Sequence, residues 1–227
     1  MLKNLLNLLF PKLCNGCSQL LLQHETTICS KCRYDLPLTQ HHLLKDNYTT
    51  KKFYGIVPIE FSASMLYFHK DGIVQNMVHN LKYRNQQEIG TLLGNWYAID
   101  LKEISKQHGF SEIIPVPLHK KRLEERGYNQ VSTFCEALAK NLNITYNEKL
   151  LFRNLYSKTQ TKKNKEQRKE ITKSLFDVTF TEADYGKHFL LIDDVITSGA
   201  TLEACAKALL KIPKAKISIV TIAYTDS

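Results

Sequence analysis

The chain has 227 residues, enough for one sizeable domain or for a small module attached to a medium one. Its 43% hydrophobic and 23% charged content is that of a globular protein, and no run approaches the ~20 consecutive apolar residues that cross a bilayer. A net charge of +9, from 31 basic and 22 acidic residues, favours an anionic partner (a phosphorylated ligand, nucleic acid or an anionic surface) without choosing among them.

The first ten residues are mostly apolar, with Leu2, Leu5, Leu6 and Leu9 on one helical face, but Pro11 and Cys14 follow directly and no small-residue cleavage site appears. This start reads as a short docking helix rather than a signal peptide, and the expected location is cytoplasmic. Next come Cys14-x2-Cys17, eleven intervening residues, and Cys29-x2-Cys32. Each x2 spacing lets two thiolates converge on one ion, and two such knuckles complete a tetrahedral four-sulfur site, which points to structural Zn2+. An iron–sulfur centre or another metal fits the same ligands, and two disulfides are the competing reading, which a cytoplasmic location disfavours. Cys135 and Cys205 stand alone in apolar helical contexts and read as buried small hydrophobes.

Residues 1–37 are therefore expected to form a helix plus zinc module, 38–110 a linker followed by a helical hood, and 111–227 the core. The stretch 38–52 is polar, and its adjacent His41 and His42 read as solvated. Phe53 to His69 carries two aromatic-rich runs that predict a short strand pair. Helices are predicted over 71–84, with Ile73, Met77, Val78 and Leu81 on one side, and over 88–107, with Leu92, Leu93, Trp96, Ile99 and Leu101. Thereafter strands near 112–117, 149–152, 175–180, 188–193 and 216–224 alternate with helices near 129–143 and 199–211, which implies a mostly parallel α/β sheet flanked by helices.

The most informative stretch runs from Phe189 to Thr201. Four apolar residues make a buried strand, Asp193 and Asp194 stand at its C-terminal end, and Thr197-Ser198-Gly199-Ala200-Thr201 opens a helix. In an open α/β sheet that edge is where ligands sit. The loop offers amides and hydroxyls at a helix N-terminus, where an anion is favoured, while the carboxylates suit hydroxyls or a metal-bound part of the same ligand. A ribose 5-phosphate satisfies both halves. No Gly-x4-Gly-Lys-Ser/Thr loop and no Gly-x-Gly-x-x-Gly turn competes with it.

This stretch resembles the motif by which type I phosphoribosyltransferases bind 5-phosphoribosyl-1-pyrophosphate (PRPP). The resemblance implies that Asp193 and Asp194 hold the ribose hydroxyls and that Thr197, Ser198, Gly199, Ala200 and Thr201 wrap the 5-phosphate. Over most of the chain the pattern is similar to the ComF family, associated with bacterial competence and DNA uptake. The resemblance rests on the four cysteines, Leu81-Lys82-Tyr83, Pro115-Val116-Pro117-Leu118-His119, Arg126-Gly127-Tyr128-Asn129-Gln130, Gln160 with Glu166 and Arg168, and the Asp193–Thr201 run. In that family context Val116, Pro117, Leu118, His119 and Lys120 form the pyrophosphate loop. Residues 154–173, with Gln160 and Arg168, form a mobile loop that closes over the site and excludes water. The Arg126–Gln130 run has an alternative role, capping the next helix and orienting the loop.

Two functions follow from the resemblance. In the first, PRPP with Mg2+ passes its ribosyl group to an acceptor with loss of pyrophosphate, the protein working by positioning and charge stabilisation. In the second, the PRPP site is a non-catalytic sensor in a protein that handles single-stranded DNA through its zinc module and basic loops, alongside other competence-machinery proteins. The first ~110 residues show no acceptor pattern for a purine, pyrimidine or orotate, so the binding claim stands ahead of the catalytic one.

Overall fold

The computed structural model describes residues 11–154 and 175–225. The centre is a five-stranded, all-parallel sheet in the order β1-β7-β6-β2-β3, formed by β1 (Phe61–Tyr67), β2 (Glu112–Pro115), β3 (Thr145–Tyr146), β6 (His188–Ile196) and β7 (Lys216–Tyr224). A separate antiparallel pair joins β4 (Leu151–Arg153) to β5 (Phe176–Val178). The helices are α1 (Ser30–Tyr34), α2 (Tyr48–Lys51), α3 (Ile73–Tyr83), α4 (Glu88–His108), α5 (Lys120–Arg126), α6 (Ser132–Leu142) and α7 (Ala200–Leu209). The mostly parallel α/β sheet with flanking helices is thus what the alternating pattern predicted.

The central strands are buried on both faces, as parallel strands are, and read as apolar runs for that reason. Leu190, Ile192, Val220 and Ile222 pack with α3, α4 and α6, whereas Phe189, Leu191, Ile217 and Ile219 pack with α7 and the small sheet. Two glycines bring α4 and α6 together. A Cβ on Gly90 would lie 2.2 Å from Thr133 Oγ1, and one on Gly94 2.7 Å from Ala137 Cβ, so larger residues would push the helices apart. The buried stripe of α4 is Ile89, Leu93, Tyr97 and Leu101, while Ile99, expected on that face, is exposed.

The positions of the crossovers locate the ligand edge. From β2 the chain passes through α6 to β3 on one side, and from β6 through α7 to β7 on the other. The two connections diverge between β2 and β6, and the C-terminal edge of those strands is where an open α/β sheet takes its ligand.

Three local expectations are corrected. The pair of strands predicted over 53–69 is one strand, β1, because Gly55 adopts a left-handed φ of 69° and Pro58 follows, breaking the first run. The polar stretch 38–52 is no linker. Thr39 N–H donates to Met65 O (3.0 Å), Tyr67 N–H to Pro37 O (2.8 Å) and Asn47 Nδ2 to Ser62 O (2.8 Å), so the segment covers the outer edge of β1. His41, expected to be solvated, is buried. Its Nδ1 pairs with Thr49 Oγ1 (2.9 Å), which meets Ser64 Oγ (2.7 Å), which meets Thr221 Oγ1 (2.7 Å). The rings of Tyr67 and Tyr224 stand edge-on to His41, and burial, with a smaller effect of His42, pushes its pKa down to about 4. Cys135 and Cys205 are both fully buried.

Candidate functional site

Strand β6 drives the site. Phe189 to Ile192 is fully buried, and the next residues reach the C-terminal edge of the sheet, where side chains emerge from the core. Asp194 turns toward α3 and α6. Its Oδ2 accepts from Lys82 Nζ (2.6 Å) and from Gln130 Nε2 (2.9 Å), and its Oδ1 accepts from Val195 N–H (2.6 Å). Asp193 lies beside it in register with Thr221, and its Oδ1 accepts from Asp194 N–H (2.8 Å). Burial, then repulsion from Asp194, pushes the Asp193 carboxyl up to about 8. Such a group calls for a donor: a ligand hydroxyl or a cation would stabilise its charged form.

After Ile196 the chain turns through exposed Thr197 and Ser198 to Gly199, whose φ of 82° is left-handed and therefore suits glycine. Gly199 caps α7, whose first bonded amide is that of Glu203 (to Gly199 O, 2.8 Å), so the amides ahead of it have no acceptor within the helix. Asp193 and the turn from Val195 to Leu202 line a hollow of about 40 Å³, a space for the oxygens of a small anion. Thr201 is exposed beside Ala200, while Lys52 and Phe53 are the neighbours a Cβ on Gly199 would meet, at 3.5 Å. Sequence reasoning missed these two, because nothing local marks a residue between a short helix and a turn as neighbour to a loop so distant in the chain.

The predicted pyrophosphate segment leaves β2 at the same edge of the sheet. Val116 is buried and continues the pairing of β2 by donating its N–H to Ile192 O (2.8 Å), and Asn129 Nδ2 donates to its carbonyl (2.9 Å). Pro117 and Leu118 are half-buried, and His119 is exposed, its Nδ1 accepting from Lys121 N–H (3.2 Å) to cap α5. The basic turn expected at 120–122 is the first turn of α5, so Lys120 stands on a helix, 3.8 Å from Glu124. The Arg126–Gln130 run ties three elements together. Arg126 donates to Gln130 Oε1 (2.6 Å), Tyr128 Oη to Leu81 O, and Gln130 to Asp194. That arrangement favours the orienting role over direct ligand contact. Gln160 and Arg168, with residues 155–173 of the expected mobile loop, lie outside the described residues.

The four cysteines converge. Their sulfurs lie within 4.8 Å of one another, with Cys14, Cys29 and Cys32 buried and Cys17 exposed. The Cys14 sulfur accepts from the amides of Gly16 (3.3 Å) and Cys29 (3.2 Å), and Cys29 Sγ accepts from Cys32 N–H (3.4 Å). Burial pushes the Cys14 thiol up, but the amides of Cys29, Cys17 and Gly16 outweigh it and bring the pKa down to about 7, whereas burial pushes Cys32 far up. An all-sulfur, four-donor, mostly buried set could hold a metal ion. The module docks on α3 through Asn76 Nδ2 to Gly16 O (2.8 Å) and Asn80 Nδ2 to Asn15 Oδ1 (3.1 Å), and its cysteines share one buried cluster with Met77 and Leu81.

No family model matches the chain. The resemblance to ComF-type proteins is nevertheless shown by curated relatives. The DNA utilization protein YhgH of Shigella flexneri is 26% identical over 212 residues, covering 91% of this chain and 88% of that protein. Competence protein ComFC of Bacillus subtilis is 28% identical over 204 residues, covering 90% of this chain and 80% of that one. Among solved structures, adenine phosphoribosyltransferase from Saccharomyces cerevisiae aligns over 62% of this chain and 69% of its own, at 13% identity and a TM-score of 0.39, a likeness too loose to carry weight. Among the described residues no helix is long and apolar enough to cross a membrane.

Proposed function

We propose that the chain binds PRPP at the C-terminal edge of β2 and β6, as a phosphoribosyltransferase-like protein of the ComF type. The observation that carries this reading is the pairing of two carboxylates, at the tip of a central strand, with a glycine-led turn opening α7 at the point where the crossovers diverge. Asp193 and Asp194 address the ribose hydroxyls. Asp194 keeps Lys82 and Gln130 and still has acceptor capacity, since a carboxylate offers about four lone-pair sites. Thr197, Ser198, Gly199, Ala200 and Thr201 supply amides and hydroxyls to the 5-phosphate. Val116 to Lys120 border the space beyond the anomeric carbon, where the pyrophosphate falls. Mg2+ bound along with the ligand would offset the negative charge of the pyrophosphate. The four thiolates hold structural Zn2+, which stabilises a segment too small to fold on its own core.

The names of the relatives, for competence and DNA utilization, support a role in DNA uptake and natural transformation. Release of pyrophosphate in the presence of an acceptor would make the protein an enzyme, and stable retention of PRPP would make it a sensor. The reading of the site itself is tested by titrating isotope-labelled protein with ribose 5-phosphate and with PRPP plus Mg2+. Shifts centred on residues 193–201 support it. Shifts confined to residues outside 116–120 and 193–201, or none at millimolar ligand, exclude it.

A further inference from the structure

A second cleft lies on the helix side of the acid pair. It has a volume of about 290 Å³, and Lys82, Tyr83, Arg84, Arg122, Glu125 and Arg126 line it, four cations against one carboxylate. Lys121 Nζ stands 3.8 Å from Glu125 Oε1, which offsets that carboxylate. Lys82 already serves Asp194, and Arg126 serves Gln130. Neither Arg84 nor Arg122 has a carboxylate partner within 4.0 Å among the described residues, and both are exposed. Two guanidiniums without a carboxylate partner among the described residues, at one cleft, are ready to take an anion, and their forked donors match phosphate oxygens.

The cleft also holds a flat apolar surface. Tyr83 is 66% exposed although it ends the amphipathic helix α3; the Arg126 guanidinium carbon lies 5.1 Å from its ring centroid, and the tilted His79 ring, centroid also 5.1 Å away, leaves most of the ring open. The neighbouring backbone is held in place, because Tyr128 Oη donates to Leu81 O and the amide of Arg84 caps the helix on Asn80 O (3.0 Å). A ring kept exposed on a fixed backbone, with planar cations beside it, stacks a planar heterocycle while the cations take its phosphate.

We propose that this cleft binds a nucleotide, a heterocyclic ring with its phosphate, stacked on Tyr83 and paired with Arg84 and Arg122. The source is either a free mononucleotide or one nucleotide of a single strand. The inference goes beyond the PRPP reading and stands without it, since the cleft residues do not include the 193–201 turn. Lys82 connects the two sites: it lines the cleft and holds Asp194, so an occupant of the cleft sits next to whatever the acid pair holds.

The test is fluorescence anisotropy of the full chain with a labelled twelve-nucleotide oligothymidylate, in competition with thymidine monophosphate and with inorganic phosphate. Tyr83→Ala is expected to weaken binding about tenfold and Tyr83→Phe to preserve it, the stacking contribution of one base being of that order. Arg122→Ala is expected to flatten the salt dependence by about 0.7 in log–log slope. Complete competition by thymidine monophosphate identifies a free nucleotide as the ligand, and competition only by oligonucleotide identifies a strand. Lys102→Ala, on the exposed side of α4, checks for a general charge effect and should change nothing. Unchanged affinity in both Tyr83→Ala and Arg122→Ala, or displacement by inorganic phosphate with Tyr83→Ala indistinguishable from wild type, overturns the proposal. Shifts at 193–201 with ribose 5-phosphate report separately on the first site.

Discussion

Lys82 Nζ stands 2.6 Å from Asp194 Oδ2, joining the last turn of α3 to the tip of β6. The pair is mostly withdrawn from solvent, with side-chain exposures of 22% and 8%, and Gln130 completes the shell of the carboxylate. Removing the cation leaves a buried carboxylate short of a partner, which costs more than the pair itself contributes.

Lys82→Met is therefore expected to destabilise the chain by about 2 kcal/mol, below the ~3–5 kcal/mol of a fully buried pair because Lys82 is partly exposed. Asp194→Asn in the Lys82→Met background should recover part of that loss. Chemical denaturation of the four species of the cycle checks both, and strict additivity would show that the two side chains do not interact.

Gly199 has a left-handed φ of 82°, yet a Cβ there would meet nothing closer than 3.5 Å, at Lys52 and Phe53. The penalty for Gly199→Ala is thus backbone strain without a clash, about 1 kcal/mol. Thermal melting should show that modest loss, with a larger fractional loss of ribose 5-phosphate affinity because the turn's amides are re-aimed.

The four-cysteine module and α3 share a core, since Cys14, Cys29 and Cys32 lie in one buried cluster with Met77 and Leu81. If the four thiolates hold Zn2+ as proposed, treatment with a chelator, like replacement of Cys14 by Ser, is expected to raise hydrogen exchange in α3 as well as in the module. Exchange confined to residues before 37 would show that the two are independent.

His41 sets a pH response. Its folded pKa of about 4 lies below the ordinary 6.5, so between those values the unfolded chain takes up a proton that the folded one refuses. Its contribution is intact above pH 6.5 and is lost as pH falls toward 4, by about 3 kcal/mol in total. His188, also depressed by burial, acts in the same direction, whereas Asp193, raised by burial, acts in the opposite one. Comparison of wild type with His41→Gln isolates the effect: unfolding free energies at pH 7 and pH 5 should differ less in the variant. Parallel pH profiles would contradict it.

The parts of the molecule legible in the sequence are those set by near neighbours. The apolar run before Asp193 and the glycine-led turn after it specify a strand, its end and a helix start within thirteen residues, and the x2 cysteine spacings specify two knuckles. The rest depends on contacts distant in sequence. Nothing near Lys82 marks it as the partner of Asp194, because a lysine in the last turn of a helix is ordinary on any solvated surface. His41 read as solvated because its neighbours are polar, yet those neighbours, Asn47 and Thr49, are polar in order to bond the edge of β1 and the imidazole. Tyr83 read as one residue of a motif, and only the folded chain sets Arg122 and Arg126 around the same cleft.

Calorimetric titration with Mg2+ and PRPP addresses the central claim most directly, comparing wild type with an Asp193→Asn, Asp194→Asn double variant whose melting profile confirms that it is folded. Saturable, one-to-one binding by the wild type and none by the variant is the predicted result. Equal affinity in the two proteins would mean that the acid-tipped strand is not what holds the sugar.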